Sequence, residues 1–153
     1  MQRHITILLI ALFIQGCASS GTSQKSPFEY FQLRPLEKDW GYTQAVKHGK
    51  TIYVSGSVSM DANGKLLGEG DMKVQLKNAL EDVRKTLAFY HADYRNIVKE
   101  TIYTTDMDAL IAAYDVRAEF YRGIPFPPSS WMGVKQLGLK GSLVEVEVVA
   151  ELE

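Results

Sequence analysis

The sequence has a single cysteine, Cys17, and little excess charge of either sign. One cysteine cannot form a disulfide within the chain, so the folded part must be held together by packing and hydrogen bonds. Lysine and arginine total 17, aspartate and glutamate total 18, and basic residues form no run or stripe. A nucleic-acid-binding protein usually carries a basic patch, and that footprint is missing here. We therefore expect no nucleic-acid partner.

Motifs for metal and cofactor chemistry are missing as well. The sequence contains no glycine-rich phosphate loop, no G-x-S-x-G elbow and no H-E-x-x-H pair. His48 and His91 follow the N-terminal segment, and neither has a partner at the spacing of metal ligands. The sequence thus predicts neither a metal site nor an organic cofactor.

The N-terminal segment has the pattern of an export signal. A basic start at Arg3 precedes an apolar run over residues 5–14, which is shorter than the ~20 residues that span a bilayer and typical of a signal peptide. Gly16 and Cys17 then resemble a bacterial lipobox, in which the cysteine becomes a lipid-bearing N-terminus. An ordinary secretory signal cut near Ala18 is the alternative. We predict a signal peptide over residues 1–16, lipid on Cys17, and an exported protein anchored to a bacterial membrane facing the periplasm.

The rest of the chain predicts a flexible tether and one domain. Residues 17–27 are mostly small and polar, which is typical of a tether, and residues 28–153 suit one domain. Residues 28–41 are predicted to be irregular or a short extended lead-in. Two strands are predicted on either side of a turn at residues 48–50, because Ile52 and Val54 alternate with Tyr53 and Ser55. The segment 96–106 predicts a further strand, and residues 130–134 a strand or loop edge.

Two amphipathic helices are predicted. Asp71 caps the first, which runs to about Tyr90, with an apolar stripe at spacings of three and four: Leu76, Ala79, Leu80, Val83, Leu87 and Tyr90. Asp106 or Asp108 caps the second. On this second helix we expect four apolar residues to face inward and two charged residues to face outward: Leu110, Ala113, Val116 and Phe120 inward, Arg117 and Glu119 outward.

The order β-β-α-β-α-β-β predicts an α+β two-layer sandwich, in which one mixed sheet carries both helices on one face. The other sheet face mixes tyrosine, threonine, valine and glutamate. Burial against further copies of the chain would explain this mixture, and a solvated outer face is the alternative. In the last strand, Val146 shares a face with other apolar residues, opposite Glu145 and Glu147. We expect Val146 or its neighbours on that face to be buried between chains.

Four segments resemble the RidA/YjgF family in their order and spacing: GYTQAVKHGKTIYVSG, LKNALEDVRKTLA, IVKETIYTTDMDAL and LVEVEVVA. The resemblance extends from about Gly41 to Ala150. It implies the chorismate-mutase-like fold and a homotrimer, in which three sheets form a central barrel and ligand clefts lie between subunits. The activity best known for the family is the hydrolysis of reactive imines and enamines, which releases ammonia.

The resemblance also implies site residues. Tyr42 matches the family's cleft tyrosine, and Glu145 matches the glutamate that orients or activates water, so these two are the candidate catalytic residues. Ser129 stands where the family has an arginine that clamps the substrate carboxylate. Trp131 replaces a small residue two positions later, and Tyr114 replaces an asparagine.

The segment PFPPSSWMG, residues 125–133, is therefore predicted to be a cleft wall that lacks the family's cation. The predicted ligand-binding residues are Ser129, Ser130, Trp131 and Tyr114. A serine hydroxyl cannot reproduce the two-pronged pairing of a guanidinium with a carboxylate, so hydrolysis of free 2-imino acids is disfavoured. Arg122 or Lys135 could supply a cation from elsewhere, and a solvated surface position is the alternative for both.

Two functions fit this sequence. The first is a hydrolase of an imine, enamine or amide-like small molecule, with Glu145 as the base or water-orienting group and Tyr42 as a hydrogen-bonding group. The second is a non-catalytic, small-molecule-binding periplasmic lipoprotein with an aromatic cleft. A purely structural role is open for Glu145 and for the aromatic residues alike. Ribonuclease activity, a label that some relatives carry, ranks last because the mature chain is slightly acidic.

Overall fold

A computed structural model describes residues 26–153. The predicted signal peptide, Cys17 and the tether as far as residue 25 lie outside the described residues. Within residues 26–153, no helix combines the length and the apolar character needed to cross a membrane.

The described part of the chain folds into one six-stranded sheet and four α-helices. The strands are β1 (Phe28–Phe31), β2 (Ala45–His48), β3 (Thr51–Ser57), β4 (Ile97–Thr104), β5 (Ser129–Gly133) and β6 (Val144–Glu151). The helices are α1 (Leu36–Asp39), α2 (Met72–Phe89), α3 (Met107–Ala112) and α4 (Tyr114–Phe120). A 3-10 turn, Tyr94–Asn96, leads into β4.

The sheet is mixed, with the strand order β1-β2-β3-β6-β4-β5. Only β4 and β5 are parallel to each other, and every other neighbouring pair in the sheet is antiparallel. Helix α2 packs on β3 and β6, and α3 and α4 pack against α2. The predicted α+β sandwich, with one mixed sheet and its helices on one face, is confirmed.

Helix α2 begins where its sequence predicts. The Asp71 carboxylate accepts a hydrogen bond from the backbone N–H of Val74 at 3.0 Å, which satisfies one of the unpaired donors of the first turn. The whole predicted apolar stripe is buried against the sheet: Leu76, Ala79, Leu80, Val83, Leu87 and Tyr90.

The lead-in contains one short strand and one short helix. Strand β1 pairs with β2, and the Phe31 ring stacks on Phe89 of α2 with 4.2 Å between the ring centroids. The helix α1 was not predicted. Its Glu37 carboxylate is buried and accepts hydrogen bonds from the N–H groups of Leu33 and Arg34, at 2.9 and 3.0 Å, which holds the turn closed.

The second predicted helix divides into α3 and α4 at Ala113. Asp106 caps α3 by accepting a hydrogen bond from the Ala109 N–H at 2.9 Å, which decides between the two candidate caps. Leu110 and Ala113 are buried as expected. The outward orientation predicted for Arg117 is wrong, because this side chain is buried and pairs with Glu100 of β4.

The surroundings of the two faces of β6 also differ from those predicted. Val146 is fully buried and belongs to the core between the sheet and the helices. The prediction that this face lies between chains is therefore wrong. The opposite face carries Glu145, Glu147 and Val149, next to Tyr103 of β4 and Tyr53 of β3. We call this the open face of the sheet, since no described helix packs on it.

Candidate functional site

A cleft of about 490 Å³ opens beside the first half of β6. It brings together the two residues predicted to be catalytic, Tyr42 and Glu145. The loop before β2, strand β3 with the residues that follow it, the loop before β6 and β6 itself all contribute to its wall: Trp40, Tyr42, Gly56, Val58, Met60, Gly138, Leu139 and Glu145.

Gly56 fixes where the Glu145 carboxylate can lie. A Cβ atom on residue 56 would be 1.8 Å from Oε1 of Glu145, so any other residue would occupy the space of the carboxylate. The pairing of β3 with β6 shifts register between Val54 and Ser57, which places this glycine within an irregularity of the strand. Gly56 is not among the site residues predicted from the sequence. The signal was present, because an isolated glycine inside a strand pattern often marks a close approach.

The Glu145 carboxylate is available for chemistry. Burial, and then the neighbouring charge of Glu147, raise its pKa above the usual range. Within residues 26–153, no side chain or backbone group donates a hydrogen bond to it. Glu147, by contrast, accepts a hydrogen bond from the Tyr103 hydroxyl at 3.1 Å. A carboxylate with a raised pKa and no partner is well suited to take up and return a proton.

Tyr42 presents a neutral phenol to the same cleft. Burial, followed by the nearby charge of Glu37, raises the pKa of Tyr42 to about 12. Its backbone N–H donates to the Glu37 carbonyl at 3.0 Å, so the turn around α1 positions it. At neutral pH this side chain can donate a hydrogen bond but cannot act as a base.

The residues predicted to bind ligand lie elsewhere in the protomer. The parallel register of β4 with β5 pairs Glu100 with Ser129 and Ile102 with Trp131, so these side chains face the helices. The Ser129 hydroxyl lies 2.7 Å from Oε2 of Glu100, and Nε1 of Trp131 donates to the Ser129 hydroxyl at 3.1 Å. Within one protomer, neither Ser129 nor Trp131 shares the cleft of Glu145.

Ser130 and Tyr114 also lie outside that cleft. Ser130 points to the open face, where its hydroxyl accepts a hydrogen bond from Nζ of Lys99 at 2.8 Å. Tyr114 is half exposed at the start of α4, with its ring centroid 6.1 Å from that of Phe126. One protomer therefore carries two separate groups of the predicted site residues.

The two cations proposed to replace the family arginine do not line the cleft. Arg122 pairs with Glu119 on the exposed end of α4. Lys135 is exposed in the loop between β5 and β6. The structure instead places a buried guanidinium, that of Arg117, against the Glu100 carboxylate that Ser129 contacts.

No group of three or more potential metal ligands occurs among the described residues. Glu145 and Glu147 lie two residues apart on the open face of β6, and Glu147 accepts a hydrogen bond from the Tyr103 hydroxyl. The cleft thus offers acid–base chemistry from Glu145 and hydrogen bonding from Tyr42.

Comparison with known proteins identifies the family. The family model described as Endoribonuclease L-PSP matches residues 34–152. A 2-iminobutanoate/2-iminopropanoate deaminase from Homo sapiens is 31% identical over 109 residues, which cover 71% of this chain and 78% of the relative. The Rid family protein YyfA from Yersinia pestis has a TM-score of 0.69 at 30% identity, over 73% of this chain and 88% of the other. The chain belongs to the RidA/YjgF family.

The fold of this RidA/YjgF-family chain agrees with further solved members. Rv2704 from Mycobacterium tuberculosis, a member of the YjgF/YER057c/UK114 family, gives a TM-score of 0.71 at 26% identity, over 82% of this chain and 99% of the other. The family resemblance drawn from the sequence is therefore confirmed. The departures from the family pattern at Tyr114, Ser129 and Trp131 stay predictions.

Proposed function

We propose that the protein is a RidA/YjgF-type hydrolase that acts on an imine, enamine or amide-like small molecule at clefts between the subunits of a homotrimer. The observation that carries this proposal is Glu145, a carboxylate with a raised pKa and no described partner, held over Gly56 and facing the cleft of Tyr42.

The chemistry follows from these groups. Glu145 takes a proton from a water molecule as the water oxygen bonds to the carbon of the carbon–nitrogen double bond. In the protonated imine, the electron pair of that bond moves to nitrogen and leaves a neutral amine on the same carbon as the new hydroxyl group. Glu145 then returns its proton to this nitrogen as the carbon–nitrogen single bond breaks. The electron pair of the hydroxyl O–H bond forms the carbonyl and its proton passes to solvent, giving a carbonyl compound and ammonia. The neutral phenol of Tyr42 donates a hydrogen bond that orients the substrate.

The separation of the two groups of site residues supports clefts between subunits. Tyr42 and Glu145 line one cleft, whereas Tyr114, Ser129 and Trp131 lie on another part of the same protomer. In a trimer, a neighbouring subunit would place its Tyr114, Ser129 and Trp131 beside the cleft that contains Tyr42 and Glu145. The open face exposes large side chains that a partner would cover, including Tyr53, which is 52% exposed.

The departure at position 129 bears on the substrate. A hydrogen bond to a charged group contributes about 1.5–3 kcal/mol, so losing two would lower kcat/KM by about two to four decades for a substrate held by its carboxylate. Short, free 2-imino acids are therefore expected to be poor substrates.

Hydrolysis assays test the proposal. The protein is incubated with 2-iminobutanoate generated by an amino-acid oxidase, and with a panel of imines, enamines and small amides. We expect 2-iminobutanoate turnover to be at least about a hundredfold slower than with an arginine-bearing relative. We expect the best panel substrate to lose about a hundredfold or more of its rate in Glu145→Gln, because proton transfer by a side chain contributes that much.

Glu151→Gln, at the far end of the same strand, is the matched control and should retain the wild-type rate. Full activity in Glu145→Gln would refute the assigned role. Binding of panel compounds without any turnover would favour the second candidate, a non-catalytic binding protein. The replacement of the family arginine by Ser129 is the feature that favours that candidate.

A further inference from the structure

The guanidinium of Arg117 is buried, and only one of its N–H groups donates a hydrogen bond within the described residues. Its side chain is 6% exposed, and its Nε donates to Oε2 of the fully buried Glu100 at 2.8 Å. The pair joins α4 to β4 beneath the edge strand β5.

Both carboxylate oxygens of Glu100 accept hydrogen bonds. Besides Arg117, the hydroxyl of Tyr121 donates to its Oε1 at 2.9 Å, and the hydroxyl of Ser129 donates to its Oε2 at 2.7 Å. Three donors thus occupy one carboxylate, which fixes the orientation of the guanidinium against it.

The outer edge of the Arg117 guanidinium is free. An arginine has five N–H donors, and only the Nε–H of Arg117 has an acceptor among the described residues. Ser142 Oγ is the sole fully buried side-chain nitrogen or oxygen without a partner in the described part. Neither Nη atom is therefore fully buried, and each keeps donors that no described residue accepts. The other acids of α4 are engaged elsewhere, since Asp115 pairs with Lys73 and Glu119 with Arg122.

Aromatic rings surround this guanidinium. Its Cζ lies 5.1 Å from the ring centre of Tyr121, 4.7 Å from that of Phe126 and 5.9 Å from that of Trp131. Phe126 is 45% exposed, so the rings extend from the buried cation to the surface. A guanidinium with a free two-pronged edge matches a carboxylate, and flat rings favour a flat apolar body beside it.

We propose that Arg117 is the anion receptor of this protein and that its ligand is a carboxylate with a flat, apolar body, such as an aromatic carboxylate. The receptor is built from α4, whereas the family pattern places its arginine on β5. The side chain of residue 129 is exposed, whereas that of Arg117 is 6% exposed. This inference names the substrate class of the proposed hydrolase and rests on that function.

Binding of benzoate to the full chain tests the receptor without any turnover. The protein has two tryptophans, Trp40 and Trp131, so Trp40→Phe leaves Trp131 as the only indole reporter beside Arg117. In this background we expect benzoate to change the tryptophan emission in a saturable manner. Benzamide has the same shape without the charge, and we expect it to bind at least about tenfold more weakly, because a hydrogen bond to a charged group is lost.

Paired variants separate binding from folding. Arg117→Gln alone would leave Glu100 buried without its cation, so it is combined with Glu100→Gln, which removes both charges together. We expect the double variant to bind benzoate at least about tenfold more weakly than its parent. Arg117→Lys keeps the positive charge beside Glu100, but an ammonium group cannot donate two parallel hydrogen bonds to a carboxylate as a guanidinium does. This variant should therefore also bind benzoate more weakly. Arg122→Gln, two residues after the end of the same helix, is the control and should bind as its parent does.

Three results would overturn the inference: no saturable binding of benzoate, equal binding of benzamide, or unchanged benzoate affinity in both Arg117 variants. Glu145→Gln distinguishes this inference from the proposed chemistry, since it should abolish turnover and leave benzoate binding intact. Binding that depends on Arg117 in a protein that hydrolyses no panel compound would refute the chemistry alone. If turnover depends on Glu145 but benzoate binding does not depend on Arg117, only the proposed role of Arg117 is refuted.

Discussion

At the scale of single residues, the cleft depends on a contact between a strand glycine and a carboxylate. The missing side chain of Gly56 creates the space that the Glu145 carboxylate occupies, and the same burial raises the pKa of that carboxyl. The position and the acidity of the proposed base therefore have one structural origin.

Gly56→Ala should disable the site and leave the fold intact. The new methyl group would force the end of the flexible Glu145 side chain to move, and a misplaced base loses most of its catalytic effect. We expect at least about a tenfold loss of rate on the best panel substrate, with a circular dichroism spectrum like that of wild type. Gly133→Ala is the control, since a Cβ atom there would meet nothing within 4 Å. Undiminished activity in Gly56→Ala would contradict the assigned position of Glu145.

Glu145→Gln should stabilise the protein, and the gain should depend on pH. The folded state raises the pKa of this carboxyl above its usual value of 4.5, so folding favours the protonated form. The stabilising contribution is complete below the unfolded pKa and is lost as the pH rises through the folded pKa. A permanently neutral glutamine avoids this loss.

Thermal unfolding at several pH values measures this effect. Glu145→Gln should unfold at a higher temperature than wild type at neutral pH, and the difference should disappear below pH 4.5. Glu151→Gln, at the exposed end of the same strand, is the matched control. A Glu145→Gln variant that is less stable than wild type at neutral pH would mean that the carboxylate has a stabilising partner.

At the scale of elements, the apolar spacing of the second predicted helix was correct, but one charged residue on its inward face, Arg117, was predicted to face outward. Arg117 follows Leu110 by seven residues and Ala113 by four, which is the spacing of the inward stripe. Glu100 likewise alternates in phase with Ile102, which is buried in β4. An arginine and a glutamate that are both in phase with buried residues indicate a buried ion pair, and the charge of Arg117 alone led to its outward prediction.

Asp106→Ala should lower the free energy of unfolding by about 1 kcal/mol, because it removes the side-chain acceptor of the Ala109 N–H at the start of α3. Asp108→Ala is the matched control, two residues later in the same first turn, and should change the free energy by less than about 0.5 kcal/mol. Chemical denaturation of both variants measures the difference. Equal effects would mean that the cap contributes nothing.

At the scale of the whole molecule, the two sheet faces differ in how they are covered. Helices cover one face, and the other carries the exposed Tyr53 together with Val149, Glu145 and Glu147 of β6, which are partly buried. Burial of that face against two further copies would complete the proposed clefts. The homotrimer and the lipid on Cys17 both stay predictions, the latter because the residue lies outside the described range.

Light scattering tests the assembly. The wild-type protein should have three times the mass of one chain. Tyr53→Glu should yield monomers, because Tyr53 is 52% exposed on the open face and a carboxylate buried there would lack a partner. Ile111→Glu is the control, since Ile111 is 56% exposed on the helix layer and should leave the mass unchanged. A stable wild-type monomer at micromolar concentration would refute both the trimer and the clefts between subunits.

The sequence by itself determined the family, the class of fold and most elements of this protein. These depend on local patterns: alternation in the strands, apolar spacing in α2, and side-chain caps at Asp71 and Asp106 that act within one turn. The family motifs also brought Tyr42 and Glu145 to notice, and the fold places both in one cleft.

Only the tertiary structure decided which distant side chains meet. Glu100 contacts Arg117, 17 residues away, and Ser129, 29 residues away, because β4 pairs with β5 and α4 packs above them. The approach of Gly56 to Glu145 likewise depends on the pairing of β3 with β6 and on the irregularity in its register. Periodicity gives the face on which a residue lies, but strand order and packing determine its neighbours, since these contacts join residues that no local pattern relates.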